Sequence, residues 1–147
     1  MTGVLASAVP TFESVVLGQA LPPRTFPVSR ESLVRYAGAG GDFNPIHWNE
    51  RVAREVGLPD VIAHGMFTMA TVVQVVTAWA GDPAAVVEYG VRFTKPVVVP
   101  DPAGATIEVT GVVAARDEQA RTVRVDLIAR SDGEKVLARA QVVVALR

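Results

Sequence analysis

The sequence has no cysteine, which excludes disulfides, thiol nucleophiles, iron–sulfur clusters and thiolate zinc sites together. Histidine is nearly as scarce, with two in 147 residues, and two imidazoles fit a catalytic zinc site poorly, so no metal is expected. Aromatic residues make up 6% of the chain and are not interleaved with basic runs, which argues against a stacking platform for single-stranded nucleic acid. Charge of one sign is missing too: 14 Lys and Arg stand against 15 Asp and Glu, so no basic footprint for nucleic acid is present. Long apolar runs are absent, because Thr68, Thr71, Gln74 and Thr77 interrupt the longest one before it reaches the ~20 residues of a spanning helix. Residues 1–10 are small and apolar but lack a basic n-region, so a secretory signal fits poorly and the chain is read as cytoplasmic, with no membrane partner.

A length of 147 residues predicts one domain, 1–147, without room for a separate cofactor-binding unit. Any deep pocket is then most easily built in a cleft shared with a second chain. The chain is expected to start mobile. Residues 12–16 and 24–28 read as short extended pieces, separated by Pro22-Pro23. Ser29 is an N-cap type before an apolar stripe of Leu33, Val34, Tyr36 and Ala37, which predicts a short helix ending near Gly38. A second short helix should start at Asn49, turn Val52, Ala53 and Val56 inward and stop at Gly57.

Residues 66–80 form the longest apolar stretch. About 15 residues is too long for an ordinary strand of roughly 5 or 6, so this is a helix, opened by Gly65 and closed by Gly81 and Asp82-Pro83. Apolar on nearly every side, it should be buried on nearly every side. Residues 86–93, 106–115, 122–129 and 136–145 read as strands, the last three an antiparallel meander because their connections are short. The architecture is α+β, one long helix on one antiparallel sheet.

Between the two short helices lies Gly40-Gly41-Asp42-Phe43-Asn44-Pro45-Ile46-His47. Pro45 lacks an N–H and pushes Asn44 out of the α region, so no helix runs through, and the two glycines allow a sharp turn. A loop held by a helix at either end can aim Asp42 and His47 into one cleft as an acid/base pair. The structural alternative is an Asx-turn at Asp42 and packing of His47 against Trp48.

Residues 36–47, Tyr-Ala-Gly-Ala-Gly-Gly-Asp-Phe-Asn-Pro-Ile-His, followed by Ile62-Ala63-His64-Gly65-Met66, resemble the hydratase motif of the MaoC-like, (R)-specific enoyl-thioester hydratases and dehydratases. The likeness continues through residues 79–83 and 91–97 into the C-terminal strands. Gly40 stands where serine is frequent in that family and Asn49 where aspartate is, but Asp and Asn are near-equal caps and neither change touches Asp42 or His47. The resemblance implies a single hot-dog fold, a sheet wrapped around the long helix. It also implies a hydro-lyase that interconverts (3R)-3-hydroxyacyl and trans-2-enoyl thioesters of coenzyme A or acyl carrier protein, without a cofactor.

In that chemistry His47 removes the C2 proton and Asp42 helps the C3 hydroxyl leave as water, with the two roles exchangeable. Gly65, at the helix N-terminus and without a side chain, is the expected oxyanion donor to the thioester oxygen. Asn44, His64 and Met66 are the expected substrate contacts, His64 having the alternative of shaping the turn or bonding a carbonyl. The expected partner is a second hot-dog chain, as homodimer or heterodimer. The rival readings are a hot-dog thioesterase and a non-catalytic partner subunit, the second of which should lack the Asp/His pair. Residues 38–43 begin like a dinucleotide fingerprint, but Phe43 stands at the last glycine position and no strand precedes it. No serine-hydrolase elbow and no P-loop lysine is present. Arg116, Arg121, Arg124 and Arg130 are read as a solvated sheet face.

Overall fold

Local side-chain chemistry sets where the elements begin. In the computed structural model, which describes residues 9–147, Ser14 Oγ both donates to the Thr11 carbonyl at 2.9 Å and accepts from its N–H at 3.0 Å. That competition winds Phe12–Ser14 into a 3-10 turn, where an extended piece over 12–16 was expected. The expectation of a mobile start falls, for residues 1–8, outside the described residues.

Strand β1 (Arg24–Val28) leads into helix α1 (Arg30–Gly40), capped by Ser29, whose Oγ accepts from the Ser32 N–H at 3.2 Å. The helix runs to Gly40, past the expected stop at Gly38, because the left-handed residue that ends it is Gly41, at φ 71°. Of the two glycines before the acid, only Gly41 makes the turn. Helix α2 (Glu50–Glu55) starts at Asn49, as the cap residue predicts, but turns only Ala53 fully inward. Val56, expected inside, follows the last helical residue and is exposed.

Helix α3 (Gly65–Ala80) ends on Gly81 in the left-handed conformation at φ 72°. Its buried side, Thr68, Thr71, Val72, Val75, Val76 and Ala80, packs into the core. The opposite side is not buried all round: Met66, Ala70, Gln74 and Ala78 are exposed. Two of the three threonines that interrupt the apolar run, Thr68 and Thr71, thus lie on the inner face.

The sheet consists of β1, β2 (Val86–Phe93), β3 (Ala105–Asp117), β4 (Thr122–Ser131), β5 (Glu134–Lys135) and β6 (Leu137–Ala145). All pairings are antiparallel, in the order β1-β3-β4-β6-β2, with β5 beside β4. Alternation along β3 and β4 buries one face, with Val109, Val113, Val123, Val125 and Leu127 meeting α3 across the core. Tyr89 ties β2 to the helix, its hydroxyl donating to the Met69 carbonyl at 2.9 Å, and burial pushes that phenol's pKa well up. A long helix held in an antiparallel sheet is the hot-dog fold that the resemblance implied. No helix among the described residues is long and apolar enough to cross a membrane.

Two of the four arginines assigned to a solvated face have other work. Arg116 and Arg121 lie over the Phe12 ring at 4.2 and 5.1 Å from its centroid, and Arg116 also donates to the Val15 carbonyl.

Candidate active site

The loop between α1 and α2 is built by its own polar atoms. Asp42 Oδ1 accepts from the Asn44 N–H and Asn44 Oδ1 from the Ile46 N–H, both at 3.2 Å. Asn44 keeps the extended ψ of 122° that a residue before proline prefers, and Pro45–His47 then forms one 3-10 turn. The Trp48 indole N–H closes the loop on the Phe43 carbonyl at 3.0 Å. The Asx-turn at Asp42 is therefore present, and it coexists with a free second carboxylate oxygen.

The turn is then fastened to the approach to α3. The Ile62 N–H donates to the Ile46 carbonyl at 3.2 Å, and His47 Nδ1 lies 2.7 Å from the Ile62 carbonyl. Residues 61–63 are themselves paired with 97–99, through Ala63 N–H to the Val97 carbonyl and Val99 N–H to the Val61 carbonyl. A carbonyl can only accept, so His47 Nδ1 carries the proton, and in the neutral ring Nε2 holds the lone pair. Burial pushes the His47 pKa below its ordinary value; the Ile62 bond opposes this, the charge of His64 adds to it, and Asp42 opposes it.

His47 does not pack on Trp48; it stacks on His64, with ring centroids 3.8 Å apart and planes at 22°. His64 is 2% exposed and donates Nε2–H to the Asp42 main-chain carbonyl at 3.0 Å. One oxygen of Asp42 and one nitrogen of each histidine lie within 4.8 Å of one another. Such a trio suggests a metal, but an imidazole holds an ion in its ring plane at ~2.0–2.1 Å, and two rings stacked face to face share no such point. The donor set does not fit a metal.

Gly65 is the first residue of α3, and His64 before it makes no side-chain cap, so the leading N–H groups of a 16-residue helix are not used by a cap. A cavity of about 290 Å³ opens there, lined by Tyr36, Gly40, Asp42, His64, Gly65, Met66 and Phe93. A second, of about 300 Å³, is lined by Ala63, Thr68, Val97 and Val136 among others, and shares Gly65 and Phe93 with the first. A chain of apolar groups leaving the Asp42 side thus has a mostly apolar hollow next to it.

Residues 13–131 match the family model of the MaoC like domain. The chain belongs to the MaoC-like family. It is 46% identical over 83 residues to 3-hydroxyacyl-thioester dehydratase X of Mycobacterium tuberculosis, a match covering 56% of this chain and 29% of that protein. It is 34% identical over 87 residues to an (R)-specific enoyl-CoA hydratase of Rhodospirillum rubrum, covering 58% and 60%. A solved MaoC-like dehydratase, 44% identical, superposes with a TM-score of 0.92 over 95% of this chain and 43% of the other. The matched parts span less than two thirds of the length of each of these three relatives.

In this MaoC-like chain Asp42, His47 and His64 converge, and Asp42, His64, Gly65 and Met66 line one cavity, which the His47 ring does not itself line. Asn44 is not among the residues lining the cavity; its side-chain oxygen holds the loop. A larger hollow, about 860 Å³, lies between residues 95–106 and the 131–134 turn and contains neither histidine nor Asp42. Two contributors were not assigned to the site from the sequence. Tyr36 packs on His64 at 4.9 Å and is braced by Phe67, and Arg30 binds Glu50, Asp60 and the Val99 carbonyl, locking α1 to α2 and to residues 60 and 99. A basic residue at the first position of a helix runs against the helix dipole, and that mismatch was the signal for Arg30.

Proposed function

We propose that the chain, as one hot-dog domain over residues 1–147, is a hydro-lyase interconverting (3R)-3-hydroxyacyl and trans-2-enoyl thioesters of coenzyme A or acyl carrier protein. The observation that carries the reading is the spacing of the Asp42 carboxylate and the His47 imidazole, within 4.8 Å of each other, with Asp42 on the wall of the cavity that Gly65 also lines. In dehydration His47 Nε2 takes the proton from C2, electrons move onto the thioester oxygen, and the N–H of Gly65 at the helix N-terminus stabilises that charge. The enolate then collapses to the C2=C3 double bond as the C3 hydroxyl, held by Asp42, departs with a proton from the pair. One water is released and the pair regains its starting protonation. In hydration the same two groups hold the attacking water and remove its proton, and C2 is protonated.

Met66 and His64 line the wall against which the thioester lies, and Asn44 keeps the loop in shape. The neutral His47 is suited to the base role at pH 7, because burial disfavours its charged form. The unit that works contains two hot-dog domains. Exposed Phe43, Trp48, Met66 and Phe93 surround the site, and among the described residues β2 has a partner on one side only, so a second copy or a different hot-dog chain covers them. The reaction takes place in the cytoplasm.

The test is incubation of the purified chain with 2-enoyl-CoA esters of several lengths, following loss of the conjugated thioester, release of free thiol and the configuration of the product. The reading expects (3R)-3-hydroxyacyl-CoA and no thiol. Thiol release without hydration would make the chain a thioesterase, and neither reaction, alone or with a second hot-dog chain added, would make it a binding subunit.

A further inference from the structure

His64 carries the oddest balance of contacts in the molecule. It is almost fully buried, yet its Nδ1 has no hydrogen-bond partner, and it is the one buried side-chain nitrogen or oxygen among the described residues in that position. Buried polar atoms without partners are rare because their lost hydration is not replaced, so a residue that keeps one is held for another reason. The other two contacts supply it. Its Nε2–H is committed to the main-chain carbonyl of Asp42, and its ring face lies on that of His47.

We propose that His64 is a positioning residue, clamping the His47 ring by its face and the Asp42 main chain by its Nε2–H, so that acid and base keep one spacing. The proposal rests on the acid/base reading of Asp42 and His47 above. His64 is well placed to do this because it is itself held from two sides. As the residue before Gly65 it is anchored to the start of α3, Tyr36 from α1 packs against it, and Phe67, one turn into α3, braces Tyr36 edge to face at 5.6 Å. Asp42 has no comparable support: it is exposed, and among the described residues its carboxylate is held only by the bond from the Asn44 N–H. The His64 tether is what joins its backbone to the helix that carries Gly65. All three groups of the reaction are thereby referred to one helix terminus.

The same contact bears on protonation. The groups facing the His47 and His64 rings are the Asp42 side chain and carbonyl from the loop, the Ile62 carbonyl from the strand-like approach, and Tyr36 from α1. A proton on His64 Nδ1 would place a cation one ring thickness from His47, so the charge of His64 opposes the charging of His47.

With two histidines in the chain, imidazole NMR resolves both in the intact protein. In the wild type His64 is expected as the neutral Nε2–H tautomer and His47 as Nδ1–H. His64→Phe keeps a flat ring and removes the donor, whereas His64→Gln keeps an N–H donor and removes the ring. Both are expected to shift the His47 titration upward. His64→Phe is expected to lower kcat for 2-enoyl-CoA hydration by at least about tenfold with KM within about threefold, because the phenyl ring keeps the wall offered to the thioester while the lost clamp serves the reacting geometry, which acts on kcat. His64 found as Nδ1–H in the wild type would overturn the proposal. So would a folded variant with wild-type kcat and an unmoved His47 titration. A wild type that hydrates no enoyl thioester rejects the function above instead, and the tautomers and the His47 shift then decide the clamp alone.

Discussion

The Nδ1–H of His47 meets the carbonyl of Ile62 at 2.7 Å, and this one bond decides which nitrogen of the ring can act as a base. Because the ring is buried, its pKa lies below the ordinary value of 6.5. The acid limb of kcat/KM for hydration should therefore have its midpoint below 6.5. The sign for stability is the same: as pH falls through 6.5 the unfolded chain takes up the proton first, so stability drops there and levels off below the folded value. A pH–rate profile and urea melts across that window test both; an acid limb above 6.5 contradicts the assignment.

Gly65→Val should cut turnover by about a hundredfold or more, by crowding the oxyanion position. A Cβ at Gly65 would come within 3.2 Å of the Phe93 ring, and Phe93 is 50% exposed and free to yield. Thermal stability should thus change little, by about 1 kcal/mol at most. Adding Phe93→Ala relieves the contact with the ring but leaves the oxyanion position crowded, so the double variant should stay slow; recovered turnover would show that the ring, not the oxyanion, was disturbed.

Arg30→Met should destabilise the fold by about 1.5–3 kcal/mol, the range for lost hydrogen bonds to charged groups. Arg30 lies 3.0 Å from Glu50 and 2.8 Å from Asp60, whose side chain is 14% exposed. Chemical denaturation measures the loss. A variant as stable as the wild type would show that the frame around the site loop is held elsewhere.

Light scattering combined with activity tests the two-domain unit. The expected result is an active particle containing two hot-dog domains, either a homodimer or a complex with a different chain. A monomer fully active on long acyl chains would contradict it, whereas an active homodimer would reject only the need for a different partner.

Most of the fold was legible because its signals are local. Ser29 and Asn49 start helices, Gly81 stops one, and period-two alternation marks β3, β4 and β6, whereas the first helix runs past its expected stop at Gly38 to Gly41. The errors share a cause. Whether residues 12–16 are extended depends on one serine hydroxyl finding the Thr11 backbone, and whether Val56 is inside depends on where a six-residue helix ends. At the site, the spacing of Asp42, Pro45 and His47 announced a rigid loop, and Gly65 announced a helix terminus. The stacking of His47 on His64 was not readable, since residues 17 positions apart meet only because Ile62 is tied both to Ile46 and to the His47 ring.

The account stands most directly on the hydration rate of a 2-enoyl-CoA measured for wild type, Asp42→Asn and His47→Ala side by side, with circular dichroism on each. Asparagine preserves the Asx-turn acceptor to the Asn44 N–H, so Asp42→Asn tests the carboxylate and not the loop. Both variants are predicted to lose about 10² to 10⁴ in kcat while keeping native spectra. Either variant, folded and with most of its rate intact, would contradict the assignment of Asp42 and His47 as the reacting pair.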